Sequence, residues 1–178
     1  VADEQPSGLA LVTDQDHIRG TPNEPVKIVE YSDPECPFCK QFHTTTMARI
    51  MSEYGAKGQV AWVYRHFPLD QIHSKARNEM SAIECANEIG GNTKFWEYLD
   101  RIFEVTPGNN GLDQNLLPTI ATDIGLDKTK FEACQAKNKF AALIEEDYQS
   151  GLAAGVRGTP YSVIIGRDGK QTLINGAQ

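Results

Sequence analysis

The sequence predicts an α/β fold in which a βαβ half and a C-terminal β-hairpin half are separated by a helical insertion. Three observations carry this. Two short runs rich in β-formers, 26–31 and 59–67, flank a stretch whose apolar residues recur at helical spacing. From residue 73 to about 155 the periodicity is helical throughout. Residues 161–166 and 171–175 then form two further β-rich runs, joined across Asp168-Gly169.

Each element has a local reason. The first strand, 26–31, is a short apolar run bounded by Pro25 and by Ser32, Asp33 and Pro34, with Glu30 as its one acid. Phe42, Met47, Ile50, Met51 and Tyr54 then mark a helix that Gly55 and Gly58 end. "QVAWVYRHFPL" alternates and reads as a second strand stopped by Pro68, which makes a βαβ unit with a parallel pair. "SKARNEMSAIECANEIGG" reads as an ordinary amphipathic helix closing on two glycines, and "NTKFWEYLDRIF" as the next, with Phe95, Leu99 and Ile102 on one stripe. A third helix runs through Leu116, Leu117, Ile120 and Ile124, its start blurred by Pro118. Asp127 is placed to N-cap "DKTKFEACQAK", and "FAALIEEDYQSGLAAG" follows. Asp168-Gly169 is a two-residue hairpin signal between the last strands. The polar lead "VADEQPSG" and the stretch "DHIRGTPNEP" carry no confident element.

A chain of 178 residues is long enough for one domain with a real core. Its net charge of -7 and the absence of a basic patch argue against a nucleic-acid or anionic-membrane surface. No apolar run reaches the roughly 18 residues of a membrane span. The start lacks a signal peptide's pattern, which a mature form with its export signal removed would also lack.

Cys36-Pro37-Phe38-Cys39 directly follows the first strand. A Cys-x-x-Cys binds zinc, attaches haem or exchanges disulfides. Haem is excluded because Lys40, not histidine, follows Cys39. The segments "IVEYSDPECPFCKQF", "VYRHFPL", "CANEIGGNTKFWEYLDRIF" and "GVRGTPYSVIIGRDG" span most of residues 26–176. In them the chain resembles the DsbA-like thiol-disulfide oxidoreductases of the bacterial cell envelope.

The resemblance implies a thioredoxin fold divided into a lead and βαβ half (1–72), a helical insertion (73–155), and a cis-proline loop with β-hairpin (156–178). Similar chains continue into a last helix after "INGAQ", whereas this sequence stops at Gln178, so that helix is expected to be missing. Cys36 would N-cap its helix with Pro37 at N1, where the free N–H groups favour thiolate and lower a cysteine pKa into the range of roughly 3.5 to 7.5. Cys39, one turn on, would be the buried resolving thiol. Glu30, six residues before Cys36, stands where the family places a proton acceptor and donor for the buried cysteine; the alternative is a strand-edge glutamate reaching solvent. Thr159-Pro160 matches the family's cis-proline opposite the cysteines, with Thr159, Pro37 and Phe38 at the substrate. Similar chains often carry a disulfide where Cys85 and Cys134 stand; buried free thiols, or zinc shared with Cys36 and Cys39, are the alternatives.

The remaining conspicuous residues read as structural. His17, His43, His66 and His73 lack metal-ligand spacing and are taken as surface or core groups, and Trp62, Trp96 and Phe95 as core. The resemblance therefore implies a monomeric oxidase of exported proteins, working in the periplasm or at the outer face of the cell membrane. Its signal or anchor would have been removed, its only redox group would be the Cys36–Cys39 disulfide, and it would bind no metal and no nucleic acid. A membrane-embedded, quinone-linked reoxidase, DsbB-like or VKOR-like, would regenerate it. Phe38 stands where the strongest oxidants of the family carry a histidine, so a reductase or isomerase is the nearest alternative. A redox-inert chaperone of the same fold is the alternative from another class.

Overall fold

The structure is a computed structural model that describes residues 8–178; of the polar lead, residues 1–7 lie outside it. A five-stranded mixed sheet runs in the order β1-β3-β2-β4-β5. β2 (Val26–Ser32) and β3 (Val60–His66) pair in parallel, with Glu30 beside Tyr64. β4 (Tyr161–Ile165) and β5 (Gln171–Asn175) complete one side as antiparallel neighbours. β1 (His17–Arg19), unanticipated because it is three residues long and two of them are polar, pairs antiparallel with β3 on the other side.

Three features differ from expectation. β3 was expected to alternate, yet all seven of its residues are buried. It lies inside the sheet with chain on both faces, and its polar residues are buried in pairs, Arg65 with Asp16 at 2.8 Å and His66 with Glu84 at 2.8 Å. The helix expected to be amphipathic, the first part of α3 (Ala76–Val105), is buried on nearly every side, including Glu79, Ser81 and Glu84. Gly91, at φ 74°, breaks α3 where the sequence places its glycine pair, since that backbone conformation suits glycine alone. The last hairpin is not a two-residue turn: Gly169 N–H bonds Gly166 O, and Gly169, not Asp168, takes the positive φ. This is the longer hairpin loop in which one glycine absorbs the bulge.

The helix after the cysteines is α1 (Pro37–Phe42) and α2 (Ala48–Glu53), joined through a π turn at His43–Met47 that buries His43 and Met47. Together with α3, α4 (Leu117–Asp123) and α5 (Lys128–Ala136), it covers one face of the sheet around Ile28, Trp62, Phe95, Leu99 and Phe131. α6 (Ala141–Ala153) covers the opposite face, over Tyr31, Val63 and Phe67. It crosses closely at Gly151, where a Cβ would lie 2.5 Å from Phe67 Cδ2. Asp127 caps α5 through a bond from Lys130 N, as its position in the sequence suggests.

Candidate active site

β2 ends at Ser32, and a buried turn of Asp33, Pro34 and Glu35 delivers the chain to Cys36. Asp33 holds that turn. Its Oδ1 accepts the Glu35 N–H at 2.8 Å, its Oδ2 accepts Leu69 N–H at 2.8 Å and meets His73 Nδ1 at 2.9 Å, and its carbonyl accepts Cys36 N–H. Cys36 is the N-cap of α1, in extended conformation, with Pro37 at N1. The Thr159–Pro160 bond is cis, and the Cys36 thiol faces the Thr159 carbonyl at 3.5 Å. Cys36, Cys39, Thr159 and Pro160 thus come together from the two halves of the sheet.

The two thiols are free and chemically unlike. The bond from the Cys39 thiol holds Cys36 down to about 6 against the opposing pull of burial, with the Thr159 side chain and the N–H groups of Cys39 and Phe38 adding to it. Backbone N–H groups therefore contribute as the sequence suggests, but the neighbouring thiol contributes most. Cys39 is pushed well above the ordinary thiol value, by burial first and then by the bond and charge of Cys36 and the charge of Glu30. One sulfur is thus poised to leave as thiolate and the other to hold its proton.

Glu30 does not escape to solvent. It is 0% exposed, accepts the Trp62 Nε1–H at 2.8 Å through Oε2, and has no partner for Oε1. Burial raises its pKa, opposed by the His43 charge and by the bond from Trp62. Tyr64, which sequence reasoning passed over, is its neighbour across the parallel pair. Burial keeps the Tyr64 phenol protonated, with the charges of Glu30 and Cys39 adding to the effect. The parallel register was the signal that would have found it.

The histidines are more organised than their scatter suggests. All four are buried against carboxylates: His17 and His66 on Glu84 Oε1, His43 on Asp100 and His73 on Asp33. Burial pushes Glu84 up, but the bonds from His17 and His66 outweigh it and hold that carboxyl down at about 2. Among the described residues no group of three or more His, Cys, Asp or Glu is placed to hold a metal ion. Cys85 and Cys134 form a disulfide between α3 and α5 and take no part in the site.

Phe38 stands out between the cysteines, 64% exposed. Beside the Thr159 loop, Phe67, Leu69, Ile72, Tyr148, Leu152 and Val156 line an open groove of about 470 Å³.

Known proteins share this fold. DsbA2 of Pseudomonas aeruginosa superposes with a TM-score of 0.76 at 29% identity, over 94% of this chain and 90% of that one. BdbD of Bacillus subtilis (TM-score 0.78, 21% identity, 90% and 84% of the chains) and α-DsbA1 of Wolbachia pipientis (TM-score 0.78, 23% identity, 96% and 86%) share the fold. In sequence, the chain is 32% identical over 158 residues to a Na(+)/H(+) antiporter NhaA 3 of Salinispora tropica, and 30% identical over 173 residues to an NhaA 1 of a Mycobacterium strain. It spans only 22% and 27% of the length of those curated relatives. The family model described as Thioredoxin matches residues 12–173, nearly the whole of the described sheet and its helices. With that match, the inserted helices and the DsbA structures beside it, the chain belongs to the thioredoxin family as a DsbA-like member.

Proposed function

We propose that this chain is an extracytoplasmic thiol-disulfide oxidoreductase that introduces disulfides into exported proteins through Cys36 and Cys39. The observation that carries the reading is the pairing of a low-pKa thiol at a helix start, facing Thr159 O, with a buried thiol held protonated. A substrate thiolate attacks Cys36 of the Cys36–Cys39 disulfide, and the S–S electron pair leaves on Cys39, which takes a proton. The second substrate thiolate attacks the substrate sulfur of the mixed disulfide and expels Cys36 as thiolate. The substrate dithiol loses two electrons and two protons; the chain takes both electrons and one proton, on Cys39, and the second proton passes to water while Cys36 stays thiolate. No cofactor beyond that disulfide is required. A quinone-linked reoxidase in the membrane would restore it. The exposed Phe38 and the groove beside Thr159 suit an extended, apolar stretch of a reduced polypeptide. The Cys85–Cys134 disulfide supports an oxidising compartment, and no described helix is long and apolar enough to cross a membrane.

Direction of electron flow follows from the thiolate. What stabilises it makes the disulfide easier to reduce, which favours oxidase over reductase. In the reduced protein the Cys36 pKa is depressed on folding, from an unfolded value of about 8.5 to about 6. Its contribution to stability is thus fully present above the unfolded value and is lost as pH falls through the folded one. The raised Cys39 works in the opposite sense above about pH 8.5. Melting of both redox forms between pH 5 and 8 should show the reduced form gaining on the oxidised one as pH rises, and Cys36 alkylation should reach half its maximal rate near pH 6. A midpoint near 8.5 with a more stable oxidised form refutes the oxidase reading.

Glu30 is assigned the proton transfer at Cys39. Glu30→Gln keeps an acceptor for Trp62 but cannot carry a proton, so resolution of a trapped mixed disulfide by Cys39 should slow by about a hundredfold, the low end of general-base contributions. Cys36 alkylation at neutral pH should stay within a factor of about two of the parent. Unchanged resolution in a stopped-flow assay removes Glu30 from the mechanism.

A further inference from the structure

A pair of acids lies behind the turn that carries Cys36. Glu35 immediately precedes Cys36, Glu79 sits in the first turn of α3, and both are fully buried. Glu35 Oε2 accepts the Asn110 N–H, and Glu79 Oε1 accepts Gln114 Nε2–H at 2.8 Å. The two remaining oxygens, Glu35 Oε1 and Glu79 Oε2, are buried without any donor. Both acids are tied to the same short segment, through Asn110 and Gln114, and each carboxyl is close enough to act on the other. Two ionised carboxylates in that position would repel with their lone pairs unpartnered, and one shared proton removes both faults. Burial, and then the bond and charge of Glu35, push Glu79 up to about 9, which makes Glu79 the member that holds the proton at neutral pH.

Glu35 is also where the Cys36 turn is fastened to the segment after α3. Its carbonyl accepts Asn109 N–H at 2.7 Å. Asn109 and Asn110 both adopt left-handed conformations, at φ 52° and 62°, which surrounding structure must hold in place. A Cβ on Gly108 would lie 3.1 Å from both Glu35 O and Pro37 Cγ, so the segment packs directly on the cysteine turn.

We propose that Glu79 is a positioning residue for the exchange site: its buried carboxyl bonds that of Glu35 and so fixes the Cys36 turn against residues 108–114. This rests on Cys36 being the exchanging thiol. Loss of the bond frees the turn and weakens the N–H contacts of the first turn that favour the Cys36 thiolate. Charge alone predicts a different pattern, since Gln and Leu at position 79 are both neutral and would move the Cys36 midpoint equally.

Infrared difference spectroscopy and Cys36 alkylation test the proposal. A protonated-carboxyl band should be present at pH 7, kept in Glu30→Gln and lost in Glu79→Gln. Glu79→Gln, whose amide still donates to Glu35, should leave the alkylation midpoint in place, while Glu79→Leu should raise it by about one pH unit or more, a tenfold loss of thiolate at low pH. Absence of the Glu79 band, equal shifts in the two variants, or no shift in Glu79→Leu overturns the proposal. If Glu79→Leu fails to fold, the band and the Glu79→Gln midpoint decide alone, and a missing band or a shifted midpoint overturns it. A chain without exchange activity would leave the band and both midpoints as expected, so failure of the functional reading shows in a different measurement.

Discussion

Cys36→Ser should lose thiol-disulfide exchange by about three orders of magnitude or more, the scale on which removal of a covalent nucleophile acts. Its fold should stay intact, because the hydroxyl keeps the N-cap geometry and suits that position well. Cys39→Ser should behave differently. Cys36 would still react, its thiolate still favoured by the N–H groups of the first turn, although it loses the bond from the Cys39 thiol that contributes most. Without a resolving thiol the mixed disulfide should accumulate with a reduced, unfolded substrate and be visible on a non-reducing gel. The pair of variants also separates the enzyme from a redox-inert binding module. If Cys36→Ser protects unfolded clients as well as the parent does, and no disulfide transfer is measurable in either, the oxidoreductase assignment is wrong.

The parts of this site that were legible in the sequence are those with a local cause. Cys36, Pro37 and the helix behind them follow from chain neighbours, and Glu30 stands out as the one acid of an apolar strand. What sequence reading missed is held by contacts between distant residues. Glu84 meets His17 and His66, 67 and 18 residues away, and His73 reaches Asp33 across 40. No periodicity reports such pairs. The same blindness explains α3: Glu79 and Glu84 make its first half look amphipathic, when each is buried against a partner supplied by another element. β3 was misread for the same reason, since Arg65 and His66, on opposite faces of the sheet, look solvent-exposed but are buried against Asp16 and Glu84. The π turn at His43–Met47 has no sequence signal at all, and it places His43 where it reaches Asp100, which also holds Arg19 of β1.

Replacing both Cys85 and Cys134 by alanine should cost stability while leaving exchange activity in place. The bond closes a loop across a sequence separation of 49 residues, between two helices on the same side of the sheet. Loop-closure entropy for that length corresponds to about 4 kcal/mol, within the roughly 2 to 5 kcal/mol that removal of such bonds commonly costs. For a chain of this size that is a fall in melting temperature of roughly 10 °C. Both sulfurs are buried, and the helices they join also meet through the stacked rings of Tyr98 and Phe131, so the fold should survive the loss with a weakened insertion. Reduction should distinguish the two cysteine pairs in the native protein. Mild thiol treatment, alkylation and mass mapping should label Cys36 and Cys39 only, because the reduced form of that pair is stabilised as thiolate whereas the buried pair gains nothing from opening. Labelling of all four in folded protein would mean that the long-loop bond is not kept closed, and with it would go the support for an oxidising compartment. A double-alanine variant that keeps its melting temperature but loses exchange would instead place Cys85 and Cys134 in the redox path, since no other role would connect them to the thiolate at Cys36.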